Sequence, residues 1–177
     1  MKTTAGKTNS VRLVLIAAMG RNRVLSADGT IPWRLPRDTA HFRARAAGRW
    51  LLLGRRTFEQ MRGWFQPGQV PLVLTSDESL SVPGGRVCHS VEEAIRLAEA
   101  HGMEELLVCG GGSVYAATLP MAAKVILTTV EAELEGDVFF PELPAGGWRL
   151  SVETRFPPDP LNPLAMRITH WKALSGD

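Results

Sequence analysis

The stretch ELLVCGGGSVYAATL, residues 105–119, decides how the chain is read. Its first five residues, apolar after Glu105, predict a buried strand. Ser113, Val114 and Tyr115 open a helix that Pro120 stops. Between them stand Gly110, Gly111 and Gly112. Glycines directly after a buried strand let a ligand or another backbone come very close. Ligands of open α/β sheets sit beyond the carboxyl ends of the strands. The spacing is not that of a dinucleotide fingerprint, and a tight strand-to-helix turn would use the same residues.

Working outward, the strand–glycine–helix order recurs. WLLL, residues 50–53, is a short apolar strand followed by Gly54, Arg55, Arg56 and Thr57, and a short helix is expected over 58–61. Such a turn offers backbone N–H groups to an anion, and adjacent arginines reinforce it. Two arginines facing solvent at a helix start would look the same. PLVLT, residues 71–75, is another strand and runs into Ser76. A short strand is expected around Val87 and Cys88. In SVEE, Ser90 is an N-cap with Glu93 at the third helical position, so a capping box starts a helix that ends near Ala100.

VRLVLIAA, residues 11–18, predicts a buried central strand ending in Ile16, Ala17 and Ala18. A long polar loop over 19–31 follows, a candidate mobile lid. It leads into IPWRLPRDTAHF, residues 31–42. Pro36 enters a helix expected to reach Ala46, and Asp38 lies in its first turn, where the helix dipole favours a carboxylate. Phe42 falls on the same face four residues later. An acid and an aromatic ring can therefore share one cavity, and an acid on an apolar face is expensive unless paired. An Asp38 that simply faces water is the alternative. Trp64 and Phe65 mark either a partner surface or the entrance to a cleft. Beyond a strand over 124–130 and an acidic loop over 131–137, strands over 150–156 and 166–171 form an antiparallel pair joined by a proline-rich loop.

The 177 residues are 45% hydrophobic, enough for the core of one domain, expected over 11–174. The net charge of +2 carries no run of basic residues, so nucleic-acid binding is not indicated. Cys88 and Cys109 lie in or beside apolar segments and read as buried thiols. Residues 1–10 are polar, read as a flexible tail, and lack a secretory signal. No membrane span and no metal site is expected, and a cytoplasmic monomer is the default. Alternating strands and helices followed by strands alone argue for a mixed sheet with helices on both faces.

The chain resembles the dihydrofolate reductases in their bacterial form. IAA at 16–18, IPWRLPRD at 31–38, LGRRTFE at 53–59, CGGGSVY at 109–115 and LTTVEAELEGDVFFPE at 127–142 stand in that family's order and spacing. The resemblance implies an α/β fold with a mixed, mostly parallel sheet of about eight strands and about four helices. It implies NADPH-dependent reduction of dihydrofolate, with hydride going to C6 and a proton to N5. Asp38, backed by Thr128, would hydrogen-bond the 2-amino group and N3 of the pterin and promote protonation of N5. Burial should raise its pKa. Trp33 would hold a water near the acid, Ile31 would cover the nicotinamide, and Phe42 would pack on the pterin and aminobenzoyl rings. Ile16, Ala17, Ala18, Thr39, Cys109 and Tyr115 would complete the substrate pocket. The cofactor would meet Ala18, Ile31, Gly54, Arg55, Arg56, Thr57, Thr75, Ser76, Cys109, Gly111, Gly112, Ser113, Val114 and Tyr115. Arg55 and Ser76 would take the 2'-phosphate. A cis peptide is implied at Gly110–Gly111.

Four features depart from the family pattern. Gln69 replaces an arginine that pairs with the carboxylate of the folate tail, so the tail meets an uncharged amide and Arg62 or Arg43 would have to substitute. Thr39 replaces an apolar residue. Ser113 leaves the phosphate grip to Arg55 and Arg56. The loop PPDPLNP, residues 157–163, replaces an aromatic-rich ending. Two other readings stay open: a reductase of a related pterin such as dihydromethanopterin, and a homologue that binds pterin and nucleotide without turnover.

Overall fold

The computed structural model describes residues 10–174, so the expected tail over 1–9 lies outside the described residues, and Ser10 is exposed. The first strand, β1 (Arg12–Gly20), alternates its side chains between two cores. Leu13, Leu15 and Ala17 point into one, Val14 and Ile16 into the other. Sandwiching between two cores is what a nearly continuous apolar run requires. Strand β2 (Val24–Ser26) precedes helix α1 (Pro36–Ala46), strand β3 (Trp50–Gly54) and helix α2 (Arg55–Gln60). Strands β4 (Val70–Leu74) and β5 (Arg86–Cys88) lead to helix α3 (Val91–Ala100), strand β6 (Glu105–Gly110) and helix α4 (Gly112–Thr118). The chain then returns through β7 (Ala122–Val130), β8 (Val138–Phe139), β9 (Trp148–Phe156) and β10 (Met166–Ala173).

Eight strands form one sheet in the order β5-β4-β3-β6-β1-β7-β10-β9, parallel except for β10, which runs antiparallel to both its neighbours β7 and β9. Helices cover both faces. Ala94 and Ala98 of α3 and Val114 and Tyr115 of α4 join one core, while Ala46 of α1 and Phe58 of α2 join the other. The expected class, the eight strands of the main sheet and the four α-helices are those of the structure.

The segment over 19–31 is not a plain loop, because β2 pairs with β8 in a small separate sheet. Two and three residues are too few to show a periodicity. Helix α2 starts at Arg55, three residues before the expected helix, since Gly54 already has the extended geometry of an N-cap. The C-terminal strands each begin or end about two residues beyond their expected limits. Cys88 and Cys109 are buried free thiols. Among the described residues, no helix is long and apolar enough to cross a membrane.

The cap of α3 shows how local chemistry sets a boundary. The N–H of Glu93 donates to Ser90 Oγ at 3.0 Å, and Glu93 Oε2 accepts the N–H of His89 at 2.6 Å, one residue before the cap. Ser90→Ala should cost about 1 kcal/mol of stability in urea unfolding. An unchanged midpoint would show that Ser90 does not act as the cap.

Candidate active site

Strand β1 pairs with β6 only from Arg12 to Leu15, where Leu15 faces Val108. With β7 it stays paired to Gly20. Beyond Leu15 the sheet therefore parts between Ile16 and Cys109, and a cavity of about 350 Å³ opens there. Pockets for small ligands start at about this size. Ile16, Ala17, Ala18, Cys109, Gly111 and Gly112 line it from the strand ends. The backbone left unpaired by the parting is answered from α4, where Tyr115 donates its hydroxyl to the carbonyl of Ile16 at 2.6 Å. Burial pushes the Tyr115 phenol well up, so it remains a donor.

Helix α1 crosses this opening and brings Asp38, Thr39, His41 and Phe42 to the wall. Asp38 is half-buried. Burial raises its carboxyl above the ordinary carboxylate range, while hydrogen bonds from the side chains of Thr128 and Trp33 hold it down. Thr128 stands on β7 directly across from Ala18, which explains how it reaches the acid. Trp33 does not line the cavity, but its side chain stands close enough to Asp38 to draw the carboxyl pKa down. Thr39 turns its hydroxyl back to the carbonyl of Leu35 at 3.4 Å.

Phe42 stacks on Trp64, with ring centroids 5.1 Å apart, and both line the cavity. Trp64 therefore belongs to the cleft entrance. Phe65 packs on the Phe58 ring. Ile31, 60% exposed, stands at the mouth, and Gln60 of α2 donates to the carbonyl of Gly29 across it, tying the lid segment down.

Gln69 is a correction. Its side chain is buried away from the cavity, with Nε2 donating to the carbonyl of Ala46 at 2.9 Å and Oε1 accepting the N–H of Gln66 at 2.8 Å. Both ends of the amide are used in holding the turn to the end of α1. A glutamine reads as an available donor in sequence, and only the fold shows it engaged.

At the other end of the cavity, Thr57 and the bare backbone of Gly110–Gly112 form the wall. The Gly110–Gly111 peptide is cis. Gly110 has φ +120°, and a Cβ on Gly112 would come within 2.8 Å of Val138. A side chain at Gly110 would be strained, and one at Gly112 would need Val138 to move aside. Val114 packs toward Gly54, and neither lines the cavity. Arg55 pairs with Glu59 at 2.9 Å and Asp77 at 2.8 Å, so its charge is already matched. Arg56, Ser76 and Ser113 are exposed, and Thr75 accepts the N–H of Asp77. These five lie outside the cavity wall.

The sequence reading missed Leu25, Ser26 and Val138, which β2 and β8 carry to the wall. It also missed His41, half-buried, with its Nε2 unpartnered and its pKa lowered by burial and by Arg45. Its place three residues after Asp38 on one helix was the available signal.

A cavity at parted strand ends, walled by glycine backbone on one side and a half-buried acid on the other, is a small-ligand site at the carboxyl ends of an α/β sheet. The chain belongs to the dihydrofolate reductase family, whose model matches residues 12–173. It is 36% identical over 151 residues to dihydrofolate reductase type 3 of Salmonella typhimurium, covering 85% of this chain and 91% of that one. It is 38% identical over 146 residues to dihydrofolate reductase HdrB of Haloferax volcanii, covering 78% and 75%. The structure of dihydrofolate reductase from Enterococcus faecalis complexed with NADP(H) and RAB-propyl superposes with a TM-score of 0.83 at 30% identity, covering 92% of this chain and 96% of that one.

Asp38 carries a stability cost. Because its folded pKa is raised, its contribution to stability is full below the unfolded pKa and is lost as pH rises through the folded value. Asp38→Asn should therefore raise the thermal midpoint at pH 7, and the gain should shrink towards pH 4. Each kcal/mol is worth about 2–4 °C in a chain of this size. A lower midpoint at pH 7 would contradict the burial cost.

Proposed function

We propose that the protein reduces 7,8-dihydrofolate to 5,6,7,8-tetrahydrofolate with NADPH. The observation that carries this reading is the half-buried Asp38, which has only neutral donors and looks into the cavity formed where β1 and β6 part. NADPH, when bound, supplies the hydride that goes to C6. The bare backbone at Gly110–Gly112 and the hydroxyl of Thr57 fit such a group, since no side chain stands between them and the cavity. NADP(H) in the related Enterococcus faecalis protein supports the choice of cofactor. Arg56 and Ser76, both exposed, are the residues we assign to its 2'-phosphate, with Arg55 shared between that phosphate and its two carboxylates.

Asp38 does the orienting. Its ionised carboxylate accepts two hydrogen bonds, from the 2-amino group and N3 of the pterin, and its charge favours the cationic pterin in which N5 has taken a proton from water. Burial strengthens this attraction, because little water screens it. Thr128 and Trp33 keep the carboxylate in one orientation, while Phe42 and Trp64 receive the aminobenzoyl ring. Tyr115 and Cys109 remain neutral, their protons held by burial.

With Gln69 engaged, we assign the carboxylate of the folate tail to Arg43, whose guanidinium lies 5.9 Å over the Trp64 ring at the cavity wall. The alternative substrate, a pterin without that carboxylate, is favoured by the loss of charge at position 69.

NADPH oxidation at 340 nm should depend on dihydrofolate, and Asp38→Asn should abolish it at neutral pH while the fold is kept. An unchanged rate–pH profile in Asp38→Asn would overturn the role given to the acid. Arg43→Gln should raise KM for dihydrofolate about tenfold, in line with a charged hydrogen bond, and leave a tail-less dihydropterin unaffected. A parent that prefers the tail-less compound would favour the alternative substrate. Binding of both ligands without turnover would indicate a non-catalytic homologue.

A further inference from the structure

Helix α1, which carries Asp38, does not cap itself: Leu35 precedes it and its side chain accepts no hydrogen bond. The cap comes from the loop between β9 and β10. Asn162 Oδ1 accepts the first-turn N–H of Arg37 at 2.9 Å, across 125 residues. Asn162 is buried, and its Nδ2 donates to both carboxylate oxygens of Asp159 at 3.1 and 3.2 Å. Asp159 also accepts the N–H groups of Leu161 and Asn162 at 2.9 and 2.8 Å. These bonds hold its carboxyl down to about 2, so it stays charged.

The remaining partner of Asp159 is Arg37, whose Nη2 lies 2.6 Å from Oδ2. The same guanidinium lies 4.8 Å over the ring of Phe156, at the end of β9. Arg37 is therefore turned fully towards the hairpin. It also stands one residue before Asp38 on the same helix, where adjacent side chains project in different directions, and without Asp159 its flexible side chain would be free to carry its positive charge nearer the acid.

We propose that the loop over 157–165 is a positioning strap for Asp38, in which Asn162 fixes the first turn of α1 and Asp159 holds the Arg37 guanidinium away from the acid. Positioning follows from the hydrogen bond, and electrostatic isolation from the ion pair. Left without a cation of its own, the carboxylate keeps its full attraction for the pterin donors and the developing charge at N5. The kinetic part of this inference rests on the role proposed above for Asp38.

The other titratable groups facing Asp38 are His41 on α1, Cys109 on β6 and Tyr115 on α4, with Arg45, Lys124 and His170 standing behind His41. Burial keeps the thiol and the phenol protonated and opposes a charge on His41. None of them places a fixed cation beside the acid.

The test compares the whole chain with Asp159→Asn, Arg37→Met and the double variant. The carboxyl titration of Asp38 is followed by carbon NMR in the ligand-free protein, beside the pH profile of kcat. In Asp159→Asn the Asp38 titration should move to lower pH, and the descending limb of kcat, which reports the proton that the Asp38 charge helps to hold at N5, should move the same way. Adding Asp159→Asn to Arg37→Met should move neither, because the cation that would swing across is gone. An Asp38 titration in Asp159→Asn that matches the parent would overturn the strap as an electrostatic device and leave a purely structural brace. A shifted titration with an unmoved kcat profile would support the strap and overturn the catalytic role of Asp38.

Discussion

Strands β1 and β6 run paired as far as Leu15 and Val108 and then separate, and the site is arranged around that separation. A sheet that parts in its middle leaves backbone groups without strand partners, and each must be answered. Tyr115 answers the carbonyl of Ile16, and the remaining space is left for ligands. The parting also brings Ala18, and with it Thr128 across on β7, to the same depth as the first turn of α1. Glycines 110–112 follow from the same geometry, since β6 must leave the sheet abruptly where β1 continues.

Placing an acid over this opening sets opposing forces against each other. The helix dipole and the donors on Thr128 and Trp33 favour the carboxylate, and burial disfavours it more. The outcome is a carboxyl whose pKa stands above the ordinary carboxylate range. The hairpin over β9 and β10 contributes by keeping Arg37 occupied with Asp159.

Much of this was legible in the residues. Pro36 ahead of a helix with Gly48 behind it gave the limits of α1, and with them the shared face of Asp38 and Phe42. Apolar strands ending in glycine at Gly54 and Gly110 gave the parallel sheet and its ligand end. What stayed hidden depends on contacts distant in sequence. The pairing of β2 with β8 joins segments more than a hundred residues apart and too short for a pattern. Gln69 looked available until the fold engaged both ends of its amide, and Arg55 looked like a free cation until Glu59 and Asp77 were placed beside it. The proline-rich loop over 157–163 carried no periodicity, and its cap on α1 could be seen only once the hairpin was folded against the helix.

The most direct test of the account is the fate of the transferred hydrogen. NADPH deuterated at C4 of the nicotinamide would be turned over with dihydrofolate and the product examined by NMR. The account predicts deuterium at C6 of the reduced pterin, transferred more slowly than hydrogen. Oxidation of NADPH that leaves C6 unlabelled would contradict it, because the cleft at the parted strands would then not bring the nicotinamide and the pterin together.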